Sequence, residues 1–289
     1  MNNLVFIKLG GSLITDKRQR YHARQATIQR LAQEMARALA TDPTLKLLVG
    51  HGSGSFGHVA AQESGYDPRK GHPSPMGFAQ VGAAASALNQ MVRTALLEAQ
   101  IPAISMPPSA SARLQNRKVI EMAIQPIIDL LAQDMVPLVF GDVALHAAGQ
   151  GGGIASTEMV FRLLAERMRP QRMLLLGMVE GVFAEAPAPP HSPPILGGKQ
   201  PTPALLPEIT PQNWPDVRAG LGGSHGTDVT GGMIAKVAET LDLIQAIPTL
   251  QVRIVSGEQA GLLERLLLDP TLEAGTLIHS GSKKSRRRD

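Results

Sequence analysis

Cysteine is absent from the 289-residue chain, which excludes disulfides and thiolate metal sites. Aromatic residues make up only 3%, too few for base-stacking platforms that bind single-stranded nucleic acid. No apolar run approaches the roughly 18–20 residues that span a bilayer. The N-terminus runs directly into a strand-like segment at Leu4, with no basic region ahead of an apolar stretch. No signal peptide is expected, and the protein reads as cytoplasmic. Charge of one sign is scarce as well. The net charge is +4, and the last seven residues, KKSRRRD, carry five basic side chains and one acidic one. The body is therefore balanced, and 283–289 is expected to be a solvated, disordered tail rather than a nucleic-acid arm. Neither a G-x-x-x-x-G-K-S/T phosphate loop nor the protein-kinase catalytic tripeptides are found.

What is present is a globular composition, 43% hydrophobic and 18% charged. Short apolar runs predict strands at Leu4–Leu9, Leu45–Val49, Ala103–Met106, Val136–Phe140, Met173–Leu176 and Val252–Val255. Between them lie helical patterns. In ATIQRLAQEMARALA, Ile28, Leu31, Met35 and Leu39 share one face, and 82–99, 124–133, 158–168 and 232–244 read the same way. Strand, helix, strand, repeated, predicts an α/β fold with a mostly parallel sheet covered on both faces. The proline-crowded stretch 186–215 excludes a regular helix or a central strand. It reads either as a long surface loop or as a flap or small hairpin beside a nucleotide site.

Two strands end in glycine-rich turns. GSGSFG, Gly52 to Gly57, matches G-x-G-x-x-G, but no second apolar strand with an acidic end follows, so a Rossmann dehydrogenase is disfavoured. Lys8-Leu9-Gly10-Gly11-Ser12 puts an ammonium at a strand end with free backbone N–H groups behind it. That combination suits a polyanion, although a plain strand-to-helix turn would look similar. A third glycine-rich turn, 222–232, leads to Lys236, with Asp228 or Thr230 as a helix cap. Asp142, after the strand VPLVF, is either a ligand carboxylate at a strand's C-terminal end or a capping aspartate. Three such turns, each with a basic residue nearby, fit a site that grips two phosphate-bearing molecules from opposite sides.

Taken in order, IKLGGSLITDK, HGSGSFGH, Gly141-Asp142, LPEIT, DVTGGM-x-x-K and GTLI resemble the amino acid kinase superfamily, specifically its isopentenyl phosphate kinases. The resemblance runs from Val5 to about Ile278. It implies a three-layer α/β/α sandwich with a mostly parallel central sheet, one domain over 1–282, usually as a homodimer. About 1–150 would form the phosphoryl-acceptor lobe and 151–282 the nucleotide lobe. The implied reaction moves the γ-phosphoryl group of ATP, with Mg²⁺, to isopentenyl phosphate, a step of isoprenoid biosynthesis in the mevalonate pathway. By motif, Lys8 and Lys17 would hold the transferring group, with Gly10, Gly11 and Ser12 along its path. Gly52, Ser53, Gly54 and Gly57 would cradle the acceptor phosphate, His58 would donate to it, and Asp142 and Gly153 would belong to the same side. Lys236, Asp228, Thr230, Gly231, Gly232 and Gly181 would serve the nucleotide, and no metal-ligating side chain is expected. Ser53 stands where the family has a glycine, Ser156-Thr157-Glu158-Met159 where it shows S-G-D-D, and Gly177-Met178-Val179-Glu180-Gly181-Val182 where it shows T-D-V-D-G-V. Glu158 is expected to replace the first aspartate.

The chemistry is coherent without the resemblance. A phosphate monoester has a second pKa near 6, so at neutral pH its oxygen is already a nucleophile and needs no carboxylate base. What the reaction needs is relief of repulsion between two anions and in-line placement. An apolar tail would need an apolar pocket, for which Phe78, Val81, Ala85 and Met91 are candidates, although they suit a plain core helix equally. The competing readings are a fosfomycin-type phosphonate kinase, a carbamate- or acetylglutamate-type kinase, which LITDK and His58 argue against, and a nucleotide-binding sensor without turnover.

Overall fold

In the computed structural model, residues 3–66, 74–149, 151–184, 204–222 and 229–281 are described, with backbone alone at 222 and 229–231. Asp228, the tail 283–289 and the proline-rich interior 185–203 lie outside them. The chain begins with β1 (Leu4–Leu9), α1 (Gly11–Ile14), α2 (Gln25–Thr41), β2 (Lys46–His51), α3 (Gly54–Glu63), α4 (Pro75–Glu98) and β3 (Ala103–Ser105). It continues through β4 (Arg113–Gln115), β5 (Lys118–Glu121), α5 (Gln125–Ala132), β6 (Val136–Phe140), β7 (Asp142–His146), β8 (Gly152–Ala155), α6 (Thr157–Met168) and β9 (Arg172–Gly177). It closes with β10 (Glu208–Ile209), α7 (Trp214–Gly222), α8 (Val229–Ala246), β11 (Gln251–Ser256), α9 (Leu262–Leu268) and β12 (Thr276–Ile278).

An eight-stranded sheet runs in the order β10-β12-β11-β9-β1-β2-β6-β3, and only the β11–β12 pairing is antiparallel. Side chains alternate across it. Leu4, Phe6 and Leu48 join the core under α5, α6 and α8, while Val5, Ile7, Leu9, Leu47 and Val49 join the core under α2, α4 and α9. Three layers follow from that alternation, and all six expected strands are present. Helix α4 starts earlier than its periodicity suggests, because Ser74 caps it at Gly77 N (2.9 Å) and Pro75 opens it. The segment after GSGSFG, left without an element by its sequence, is helix α3.

Six strands, β4, β5, β7, β8, β10 and β12, are not among those expected. Four of them, β5-β4-β7-β8, form a second sheet of strands three to five residues long, too short to show a period. Its β4–β5 hairpin turns through Asn116 and Arg117, both at positive φ. Of the proline-rich stretch, the described part from 204 contributes short edge structure. Phe183 bridges Leu205, β10 lies at the sheet edge where proline-rich chain is tolerated, and α7 begins at Trp214 with Pro215 in its first turn. Among the described residues, no helix is long and apolar enough to cross a membrane.

Candidate active site

The register of the parallel strands sets the two glycine loops side by side. Leu9 pairs with His51 and Leu176, and His51 pairs with Phe140, so β9, β1, β2 and β6 end level. A glycine follows or closes each end. Gly10 N donates to Leu176 O (2.8 Å), Gly52 N to Leu9 O (3.0 Å), Gly141 N to His51 O (2.9 Å) and Gly257 N to Gly177 O (2.8 Å). The result is a row of glycines along the C-terminal edge of the sheet, where open α/β sheets place ligands.

The loops touch where side chains would not fit. A Cβ on Gly11 would lie 2.6 Å from Gly54 N, and one on Gly52 would lie 3.0 Å from Gly11 N. Gly54 has φ +51°, a conformation that glycine adopts without strain. Thr15 clamps the pair: its hydroxyl donates to Gly11 O (2.7 Å) and accepts from Ser55 N (3.0 Å). The N–H groups of Gly11, Ser12, Ser53 and Gly54 have no partner among the described residues. They begin two helices, so they are orphan donors at positive dipole ends. The Ser53 hydroxyl packs against the bare α-carbon of Gly57, where a Cβ would lie 2.4 Å away.

Lys8 shares the parity of Leu4 and Phe6, which directs it to the α6–α8 face. It is 8% exposed, and its Nζ lies 2.7 Å from Oε1 of Glu158 in the first turn of α6. Ser156 starts that helix by accepting from Met159 N (3.3 Å). Burial pushes the Glu158 carboxyl up, but Lys8 and then Lys236 outweigh it and hold it below the ordinary carboxylate value. Lys236, in the second turn of α8, is pulled down by burial and by repulsion from Lys8, against Glu158 and Glu239. These three side chains line a cavity of about 290 Å³ floored by Phe161, Met173 and Leu175. Glu158 thus pairs with Lys8 and lies within the electrostatic reach of Lys236 at one end of the site.

Other expected residues fall elsewhere. Lys17 and His58 are exposed and without partners among the described residues. They are nonetheless on neighbouring elements. The turn bearing Lys17 lies along α3, which bears His58, through Tyr21 edge-on to Phe56 (5.6 Å) and Tyr21 Oη donating to Glu63 (2.6 Å). Asp142 is 2% exposed, and its carboxylate accepts from Ser109 N (3.0 Å) and Val143 N (2.8 Å), the capping alternative. Burial still pushes its pKa up. Gly153 faces Leu114 and His146; its neighbour Gly152 is the one that meets Phe78. Gly181 is packed against Thr276 and Leu205, a loop-closing position rather than an open one. Gly232 is open, with nothing within 4 Å of where its Cβ would be, whereas Thr230 and Gly231 are placed by backbone only, inside α8. Sequence reasoning assigned no role to Thr15 and none to His51 and Asn89, which lie beneath the loops.

The amino acid kinase family pattern matches residues 3–256. An isopentenyl phosphate kinase of Methanothermobacter thermautotrophicus is 32% identical over 272 residues, 92% of this chain and 95% of that protein. The chain belongs to the isopentenyl phosphate kinases of the amino acid kinase family. The enzyme of the same description from Haloferax volcanii is 31% identical, with 83% of this chain and 88% of that one covered. A solved isopentenyl phosphate kinase structure superposes with a TM-score of 0.75 at 29% identity, covering 95% of this chain and 99% of its own. The amino acid kinase fold is therefore the fold observed here.

Proposed function

We propose that this protein transfers the γ-phosphoryl group of ATP to isopentenyl phosphate, producing isopentenyl diphosphate and ADP. The supporting observation is the paired cradle of unpartnered N–H groups on Gly11, Ser12, Ser53 and Gly54, beside Lys8, with no free carboxylate among the described residues around it. Glu158 is committed to Lys8, and Asp142 to two backbone amides. A hydroxyl acceptor would need a base there; a phosphate dianion does not. In the proposed reaction an acceptor phosphate oxygen forms the new P–O bond. The bond from the γ-phosphorus to the bridging oxygen breaks, and that oxygen leaves with ADP. Lys8 and the amides neutralise the transferring group, Lys236 grips the nucleotide phosphates, and His58 donates to the acceptor.

In this reading the acceptor's tail would lie toward the apolar side of α3 and α4. Ala60 of α3, Val81 of α4, Tyr66 and Val143 form a small buried cluster there, with Phe78 and Ile154 packed on it. Ala85 and Met91 belong to other parts of α4's packing. No group of three or more acidic or histidine side chains among the described residues could hold a metal. In this reading Mg²⁺ would be bound by the nucleotide's own phosphates, where it would neutralise charge. A cytoplasmic homodimer serving isoprenoid synthesis completes the proposal.

The test is ADP release by purified protein with ATP-Mg²⁺ and isopentenyl phosphate, dimethylallyl phosphate, fosfomycin or N-acetylglutamate in turn. Turnover with isopentenyl phosphate is expected. A preference for fosfomycin, or ATP binding with no turnover on any acceptor, refutes the reading.

A further inference from the structure

Beneath the acceptor loop lies a polar chain that the reaction as described does not use. His51 is fully buried and Asn89 is 4% exposed, on the α4 side of the sheet. Burying two such groups in an apolar layer is unfavourable unless each finds a partner. Both do. Ser105 Oγ is 2.5 Å from Asn89 Oδ1, Asn89 Nδ2 is 3.0 Å from His51 Nε2, and His51 Nδ1 is 3.1 Å from Gly52 O.

The end of the chain settles every proton. The Gly52 carbonyl can only accept, so Nδ1 carries the hydrogen. Nε2 must then accept, which requires the NH₂ of Asn89 on that side and leaves its oxygen for the Ser105 hydroxyl. The imidazole is neutral; burial holds its pKa down at about 4, and Lys8 contributes to the drop. Phe140 stacks on it at 5.6 Å and 8°, fixing the ring plane. Gly52 C=O and Ser53 N–H belong to one planar peptide unit, so pinning the carbonyl fixes where that N–H points. Ser53 N–H is one of the unpartnered donors of the cradle.

We propose that His51, held by Asn89 and Ser105, is a positioning residue that aims the Ser53 N–H group at the acceptor phosphate. This rests on the reading that the 52–54 loop receives the acceptor. A core histidine that merely satisfies its own polarity would occupy the same place, so the test must separate aim from stability.

The double variant His51→Phe/Asn89→Leu does so. Phenylalanine keeps the ring and its stacking, and leucine removes the amide that would otherwise be left unpaired. Replacing both partners by apolar groups of similar shape is close to neutral for that pair, and the Ser105 hydroxyl and Gly52 carbonyl that lose a partner belong to residues that are only partly buried, where water can replace it. The double variant is expected to melt within a few degrees of wild type. Its KM for isopentenyl phosphate should rise about tenfold, with the ATP KM within about twofold, because only the acceptor cradle loses its anchor. The single variant His51→Phe, which strands the Asn89 amide, should be less stable than the double. Should the double variant be folded with both KM values unchanged, the positioning role is wrong while the kinase reading stands. If wild-type protein binds none of the four acceptors in a calorimetric titration, both fall together. If the double variant fails to fold, the pair is structural and the proposal is overturned.

Discussion

The Gly11→Ala substitution tests the contact between the two glycine loops most directly. The added methyl carbon would lie 2.6 Å from Gly54 N and 2.7 Å from Gly54 Cα. Ordinary contact needs about 3.4 Å, so the loops must separate by roughly 0.8 Å. Neither side yields easily, since both atoms it meets are backbone. Gly11 O is bonded to Thr15 N (3.0 Å) and to the Thr15 hydroxyl, which also holds Ser55 N on the opposite loop. Over-packing of this kind typically destabilises by about 1–3 kcal/mol. For a chain of this length that is a Tm fall of roughly 2–10 °C, which leaves the protein folded at 25 °C. The effect on turnover should be larger. Moving donors by about 1 Å relative to the reacting atoms lowers rates about 10²-fold. ADP release at 25 °C, with folding checked by circular dichroism, should therefore show kcat/KM reduced about 100-fold. A variant that melts like wild type and keeps more than half its activity would refute the close approach of the loops or the role of their amides.

Three further outcomes follow from the same geometry. His58→Ala should lower kcat/KM for isopentenyl phosphate about 10²-fold, the loss expected for one transition-state donor, and near-full activity would remove His58 from the reaction. Lys236→Ala should raise the ATP KM at least about tenfold and the acceptor KM far less; equal effects would contradict a two-sided site. His51 should also make the fold acid-sensitive. Its native pKa of about 4 lies below the unfolded value near 6.5, so the unfolded chain takes up the proton first. The stability it contributes is fully present above about pH 6.5 and is lost as pH falls toward 4. Urea titrations at pH 7 and pH 4.5 should show wild type losing roughly 2–3 kcal/mol more than His51→Phe/Asn89→Leu. Equal losses would mean that His51 is not held neutral.

Much of the site is legible in the sequence because it rests on local signals. Lys8, the glycines and Lys236 lie next to strand ends or helix starts, and backbone rules place such residues at phosphate-type turns. The partners of those residues are not local. Thr15 joins Gly11 to Ser55, Asn89 reaches His51 from α4, and Glu158 reaches Lys8 from α6. Each joins segments separated by many residues, and nothing in a single segment announces the meeting. For Asp142 the sequence left a ligand carboxylate and a cap open, and the fold commits it to Ser109 N and Val143 N, while Gly181, named by the family resemblance, packs against Thr276.

The sequence by itself determined the layers: apolar alternation with a period of two sets each strand's faces, and helical periodicity supplies what covers them. It also determined that Lys8 shares a sheet face with Leu4 and Phe6, while the fold decided that α6 and α8 cover that face. Only the tertiary structure decided that the two glycine loops form one cradle. That depends on strand register, Leu9 beside His51, which hydrogen bonding between separate segments sets and no local pattern records. It likewise decided the small second sheet, whose short strands hold their shape by pairing and by packing over α6 rather than by any preference of their own.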